Sequence, residues 1–208
     1  MIPDLEASFS LLREYRVPPH IVGHSVMVAK VSLVLGEAVN AAGRRQDFAL
    51  LAAAGVLHDI AKFATLKTGE DHAQAGADWL EDRGLKSVAR VVGQHVRLQL
   101  DVDKPVDEVE LVFYADKRVQ HEKIVTLEQR FIDLRHRYGR NREALGSLEE
   151  MKALTTALED KIFRPLSWMP GEVEARVAAA ENHQGQVAGY FRQMLVLYQK
   201  YIDNQPDI

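Results

Sequence analysis

The sequence predicts an all-α protein, with a helical bundle followed by a C-terminal helical hairpin extension. Apolar residues recur at helical period in nearly every long segment of the 208-residue chain. No segment alternates apolar and polar residues as a half-buried strand does, and no long repeat or low-complexity tract is present. We expect the bundle to span residues 1–140 and the extension to span residues 141–208.

The bundle helices follow from their apolar stripes and from residues that start or stop a helix. A first helix carries Leu5 and Phe9 and is stopped before Pro19. Asp71 is expected to cap the helix that follows it, and the polar segment ending at Pro105 is expected to be a surface loop. Further helices are predicted over residues 21–39, 48–61, 71–84, 86–95, 106–121 and 127–138.

The pattern changes after Gly139. One apolar stripe runs over residues 148–162 and is followed by Pro165 and Pro170, and a longer stripe runs over residues 173–198. These helices are predicted to pack on the bundle or on a second subunit, so a homodimer interface is compatible with the pattern.

Composition excludes several classes of site and partner. The chain has no cysteine, which excludes disulfides, thiolate zinc sites and cysteine nucleophiles. Its net charge of −4 gives no overall basic field, so we expect neither nucleic acid nor a membrane as partner. The acidic start resembles no targeting signal, and the most apolar stretch, 48–57, is too short to cross a bilayer. A cytoplasmic protein acting on a small molecule is therefore expected.

Candidate chemistry lies at polar residues that interrupt apolar helices. His58 and Asp59 end the most hydrophobic helix, where burying an imidazole and a carboxylate without partners is costly. Adjacent helix positions differ by about 100° in direction, so both side chains can reach one divalent metal beside the helix end. Lys62 lies one turn further on the same side, where it could meet a phosphate.

Such a pair taken alone is more often a hydrogen-bonded cap, and each further polar residue could be a satisfied core group. Five positions of one chemical kind on apolar helices favour one shared ion site. The positions besides the His-Asp pair are His24, His72, His95 and Asp116.

The order of these residues resembles that of the HD-domain metal-dependent phosphohydrolases. In this family a histidine, a His-Asp doublet and a distant aspartate lie on helices of one bundle. His24, the motif His58-Asp59-Ile60-Ala61-Lys62 and Asp116 match that order, and His72 and His95 look like the two extra histidines of HDIG-type members. The resemblance covers about residues 17–140.

The resemblance implies two metal ions and a phosphoester substrate. His24, His58, Asp59 and Asp116 would hold one ion, while His72 and His95 with a bridging Asp59 would hold the other. Such ligands suit Mn²⁺, Fe²⁺, Mg²⁺ or Ni²⁺ about as well as Zn²⁺. The implied reaction is attack by a metal-activated hydroxide on a nucleotide or nucleotide-derived substrate, with Asp59 and Lys62 as catalytic residues.

A basic stretch follows the last predicted ligand. Arg118, two residues after Asp116, is expected to bind substrate together with Lys62, whereas most of the other basic residues are expected on a solvated helix face. These others are Lys117, Lys123, Arg130, Arg135, Arg137, Arg140 and Arg142.

Three alternative functions remain open at this point. One is a dinucleoside polyphosphate hydrolase, an activity of another HD family with a similar set of six ligands. The second is a di-iron oxygenase on the same scaffold, against which Lys62 favours phosphate chemistry. The third is a regulatory module that binds metal and nucleotide without turnover.

Overall fold

The computed structural model describes residues 1–204 and confirms the predicted helical class, with 69% of the chain in helices. Within these residues the β-structure is one antiparallel pair, β1 with β2. The helices of the first part are α1 (Leu5–Glu14), α2 (Pro19–Ala41), α3 (Phe48–Leu57), α4 (Lys62–Thr65), α5 (His72–Asp82), α6 (Lys86–Gln94) and α7 (Glu108–Lys117). The remaining elements are β1 (Val119–Gln120), β2 (Lys123–Ile124), α8 (Leu127–Tyr138), α9 (Arg142–Phe163), a 3-10 turn (Pro170–Glu172), α10 (Val173–Glu181) and α11 (Gln186–Asp203).

Short polar side chains fix where the helices begin. The carboxylate of Asp71 accepts from the backbone N–H groups of Ala73 and Gln74, which places His72 as the first residue of α5. Asp107 and Thr126 form capping boxes at the starts of α7 and α8. These caps satisfy N–H groups that the first helical turn leaves unpaired, so they fix the frame from which site residues project.

Helix α3 lies at the centre of the bundle and contacts α2, α6 and α7. Every residue of α3 from Leu50 to Leu57 is buried, as its all-round apolar sequence predicts. A Cβ atom on Gly55 would lie 2.6 Å from the Cα atom of Ala29 in α2. The absence of a side chain at Gly55 therefore allows the close approach of α2 and α3.

The predicted helix over residues 106–121 ends earlier than expected. Helix α7 stops at Lys117, and a two-residue ladder pairs Val119 with Ile124 and Gln120 with Lys123. The β-branched residues of this segment favour extended backbone. The turn is held by contacts with other elements, since the Nδ1 atom of His24 donates to the carbonyl of His121, whose φ of 55° lies in the left-handed region. Sequence periodicity does not detect such tertiary contacts.

The C-terminal helices pack on the first part of the chain. Lys161 of α9 donates to the carboxylate of Glu110 in α7 at 2.5 Å. The hydroxyl of Tyr201 in α11 donates to the carbonyl of Leu12, which joins α11 to the end of α1. The second predicted stripe is two helices rather than one, because residues 182–185 separate α10 from α11. Residues 205–208 of the predicted extension lie outside the described part.

Two helical segments, Pro19–Ala41 and Phe48–Thr65, are long and apolar enough to span a membrane by length and composition alone. Their apolar windows are 78% and 72% buried inside the protein. Packing within the bundle therefore accounts for their apolar character.

We expect Gly55→Ala to destabilise the protein by roughly 1–3 kcal/mol, because its methyl group would overlap the α2 backbone. Gly146→Ala is the matched control, since an added Cβ there meets no atom within 4 Å on the exposed face of α9. This control is expected to be neutral or stabilising by about 0.5–1 kcal/mol. Urea unfolding curves measure both, and equal midpoints for the two variants would contradict the close-packing argument.

Candidate metal centre

The six predicted ligands come from five helices and converge inside the bundle. His24 lies in the second turn of α2, and His72 begins α5. The other four ligands lie at or just beyond the C-terminal ends of three helices, which carry partial negative charge and favour a cation. These are the His58-Asp59 pair after α3, His95 after α6 and Asp116 in the last turn of α7.

Four of these side chains form the first ligand group: His24, His58, Asp59 and Asp116. The Oδ1 atom of Asp116 lies 3.0 Å from Nε2 of His24 and 3.7 Å from Nε2 of His58. The Oδ2 atom of Asp59 lies 3.5 Å from Nε2 of His58 and 4.0 Å from Nε2 of His24. His24, His58 and Asp59 thus each have a ligand atom within 4.8 Å of the other two, and Asp116 lies against both imidazoles.

The second ligand group consists of Asp59, His72 and His95. The Nε2 atoms of the two histidines lie 3.1 Å apart, and the Oδ1 atom of Asp59 lies 3.4 Å from His72 and 3.5 Å from His95. The two oxygens of Asp59 therefore face different groups, Oδ2 the first and Oδ1 the second. If each group held a cation, Asp59 would be shared between them.

Backbone carbonyls set the orientation of three imidazoles. The Nδ1 atoms of His24, His58 and His95 donate to the carbonyls of His121, Gly55 and Val92, at 2.9, 2.8 and 2.6 Å. A carbonyl oxygen only accepts, so Nδ1 carries the proton and Nε2 is left to face the centre. Metal-binding histidines in proteins are commonly oriented in this way.

The donor set fits divalent metal ions. Among the described residues, Nε2 of His58 and Oδ1 of Asp59 are buried side-chain atoms without a hydrogen-bond partner. Leaving such atoms unpaired is costly, and a cation is the partner that an imidazole lone pair and a carboxylate both accept. These His and Asp groups could hold metal ions, although their role as ligands remains a prediction.

Charges within the site outweigh the effect of burial on its acidic groups. Burial alone would raise the pKa of Asp59, but His58 and Lys62 hold that pKa well below its ordinary value. The pKa of Asp116 is likewise held low, against burial, mainly by the neighbouring Lys117. Both carboxylates are therefore ionised near neutral pH and supply negative charge to the centre.

The imidazoles of the centre differ strongly in proton affinity. Burial opposes the charged form of His58, but Asp59 and Asp116 raise its pKa to about 9. Burial lowers the pKa of His95 to about 4, so that this ring is neutral near neutral pH. The second ligand group thus presents a ligand with a free lone pair, whereas His58 must lose a proton before it binds metal.

Lys62 lies beside the carboxylate of Asp59, which belongs to both ligand groups. Its Nζ atom donates to Oδ2 of Asp59 at 2.6 Å, and the side chain is partly exposed. Burial opposes its charge, but Asp59 and Asp116 raise the pKa of Lys62 above its ordinary value. The structure thus places a permanent cation at the exposed edge of the first ligand group.

The substrate contact predicted for Arg118 is contradicted by its surroundings. The side chain is buried, and its Nε, Nη1 and Nη2 atoms donate to the carbonyl of Val125, the hydroxyl of Tyr114 and the carbonyl of Pro170. A further ion pair joins it to Glu159. Arg118 therefore ties the hairpin and the C-terminal helices to α7, and its donors are used within the protein.

Two basic residues near the centre do not lie on the solvated face predicted for them. Lys117 is buried, and its Nζ atom donates to Oδ2 of Asp116 at 2.7 Å and to the carbonyl of His95 at 2.8 Å. Arg130 is also buried, with Nη2 3.9 Å from Oδ1 of Asp116. The sequence does indicate that Arg130 is buried, because this residue lies on the same apolar stripe of α8 as Leu127 and Leu134.

Comparison with known proteins identifies the domain that carries this centre. Residues 21–119 match the family model of the HD domain, so this part of the chain is an HD domain. HD domains are typically metal-dependent phosphohydrolases. The match contains all six candidate ligands.

One curated relative is similar over a longer segment. It is a tRNA (cytidine(56)-2'-O)-methyltransferase of Thermoplasma volcanium, 29% identical over 143 residues. The match covers 62% of this chain and spans 40% of that protein's length. No solved structure matches this chain.

Removal of a first-group ligand is expected to remove bound metal. We expect His58→Ala to lose at least one bound ion per chain when purified protein is analysed for metals, because Nε2 faces both carboxylates. His136→Ala, at an exposed position on α8, is the control and should keep the wild-type metal content. Equal metal content in both variants would exclude His58 as a ligand.

Metal uptake near neutral pH is expected to release about one proton per chain from His58. The pKa of His58 in the metal-free protein is about 9, so the ring is protonated below that pH and its affinity for metal rises as the pH approaches that value. Calorimetric titration with Mn²⁺ in two buffers of different ionisation enthalpy measures the release. Identical heats in both buffers would contradict it.

Proposed function

We propose that this protein is a metal-dependent phosphohydrolase that cleaves a phosphoester of a nucleotide or nucleotide-derived molecule in the cytoplasm. The observation that carries the proposal is the 2.6 Å contact between Nζ of Lys62 and Oδ2 of Asp59. It joins a cation to the carboxylate shared by both ligand groups. An anionic substrate is attracted to such an edge, because Lys62 is charged and partly exposed.

In this proposal the histidines and aspartates of the centre hold cations, and Lys62 binds the substrate. His24, His58, Asp59 and Asp116 would hold one ion, and His72 and His95 would share Asp59 in holding the other. Divalent ions held by these residues would supply Lewis acidity and lower the pKa of water toward neutrality. Manganese, iron, magnesium and nickel suit these nitrogen and oxygen ligands about as well as zinc.

Lys62 is assigned to the phosphoryl group. Since its pKa is raised, the ammonium stays protonated and can donate to a non-bridging phosphoryl oxygen as negative charge develops there. The carbonyl-anchored imidazoles keep their orientation without substrate, so the ligand frame needs little rearrangement during the reaction.

Turnover is tested with a panel of nucleotides, a dinucleoside polyphosphate and an aryl phosphodiester, each assayed with Mn²⁺ and with Fe²⁺. Asp59→Ala is expected to lose metal and hydrolysis together, because Asp59 contacts both ligand groups. His136→Ala serves as control, with wild-type rates. An Asp59→Ala protein that keeps its metal and its rate, or a wild-type protein inactive on the whole panel, would exclude the proposal.

Lys62→Met is expected to lower kcat by roughly 10²–10³-fold while leaving bound metal in place, because it removes charge next to the reacting group but no ligand. Metal analysis and steady-state kinetics on the best substrate of the panel measure the two effects. A kcat within a factor of about two of wild type would contradict the assigned role.

The same assays separate the alternatives. A dinucleoside polyphosphate hydrolase would prefer that member of the panel. A di-iron oxygenase would retain iron and consume O₂, and a binding module would bind nucleotide without turnover. The methyl transfer named for the Thermoplasma volcanium protein forms no part of the proposal, because the match spans 40% of that protein.

A further inference from the structure

Arg130 is a buried cation whose hydrogen-bonding capacity is only partly used. Its Nη1 atom donates to Oδ2 of Asp133 at 3.2 Å. Its Nε atom is buried and, among the described residues, has no hydrogen-bond partner. With a side chain 9% exposed, the unpaired donor also has little access to water, which makes its burial costly.

The guanidinium lies at the edge of the first ligand group. Its Nη2 atom is 3.9 Å from Oδ1 of Asp116, which is beyond hydrogen-bond distance. Asp116 is already paired, since His24 lies 3.0 Å from its Oδ1 and Lys117 lies 2.7 Å from its Oδ2. Arg130 is therefore not needed to neutralise this carboxylate.

Two cations thus flank the same ligand group. Lys62 lies beside the carboxylate of Asp59, and Arg130 lies beside the carboxylate of Asp116. Both carboxylates lie within 3.7 Å of Nε2 of His58. An oxyanion in contact with a cation held by this group would come within reach of both side chains. The planar guanidinium suits an oxyanion particularly well, because it can donate two parallel hydrogen bonds.

We propose that Arg130 binds the phosphoryl group of the substrate, taking the role that the sequence pattern assigned to Arg118. The inference rests on the proposed function and names a second substrate-binding side chain on α8, outside the segment that matches the HD domain. It also explains why a charged residue lies on the apolar stripe of α8 and keeps donors unused.

The position of Arg130 is fixed before any ligand binds. Thr126 caps α8 through a reciprocal pair of hydrogen bonds with Gln129, which fixes the first turn where Arg130 lies. Asp133, one turn further, holds the guanidinium and also pairs with Arg137 at 2.9 Å. A group oriented in this way loses little conformational freedom on binding.

The test uses inorganic phosphate and calorimetric titration of the Mn²⁺-loaded protein. We expect Arg130→Gln to bind phosphate roughly 10- to 100-fold more weakly than wild type, with unchanged manganese content, because it removes charged donors but no ligand. Arg130→Lys is expected to have an intermediate phosphate affinity, since lysine keeps the positive charge but lacks the planar guanidinium group that donates two parallel hydrogen bonds. Arg135→Gln, which removes an exposed arginine from the same helix, is the control and should match wild type.

A second variant distinguishes binding from packing. Asp133→Asn keeps Arg130 but removes the charge that holds it, and is expected to weaken phosphate binding severalfold with a smaller change in unfolding midpoint than Arg130→Gln. Weaker binding in both variants at wild-type metal content supports the inference. Wild-type phosphate affinity in Arg130→Gln, or no phosphate binding by the wild-type protein, would overturn it.

Failure of the inference and failure of the proposed function give different results. If phosphate binding depends on Arg130 but the wild-type protein hydrolyses no member of the substrate panel, the hydrolase proposal fails and the oxyanion site remains. If the protein hydrolyses a phosphoester and Arg130→Gln has unchanged kcat, KM and phosphate affinity, the inference alone fails.

Discussion

The burial of Asp59 is the constraint on which the rest of the site depends. An ionised carboxylate in the middle of a helical bundle is tolerated only where opposite charges and ligands surround it. Here His58, Lys62, His72 and His95 lie around its two oxygens. These residues come from different positions along the chain. The centre therefore forms only when the helices that carry them pack together.

Much of the fold could be predicted from helical periodicity and from capping residues. Helix α8 has the predicted bounds, and Asp71 caps α5 as expected. These features depend on residues close in sequence, and local patterns determine them. The hairpin at residues 119–124 depends on the bond from His24 to the carbonyl of His121, nearly a hundred residues away. No local pattern encodes such a bond.

The candidate ligands can likewise be predicted from local sequence, whereas the roles of the basic residues around them depend on contacts between distant elements. The six candidate ligands, at five positions along the chain, are detectable because a polar side chain that interrupts an apolar pattern is costly unless it has a partner. The roles of Arg118 and Arg130 depend instead on which elements lie opposite them. Arg118 faces the C-terminal helices, whereas Arg130 faces Asp116, and spacing along the chain from Asp116 does not distinguish these two surroundings.

The carbonyls that orient His58 and His95 are those of Gly55 and Val92, each three residues earlier at the end of a helix. Within a continuous α-helix these oxygens would accept from backbone N–H groups one turn later. Because α3 and α6 terminate at this point, neither carbonyl accepts from the residue one turn later, although the Val92 carbonyl also accepts the backbone N–H of His95. The orientations of these two imidazoles thus depend on where the helices end, and a substitution that prolonged either helix would redirect Nε2 of His58 or His95 without touching the ring itself.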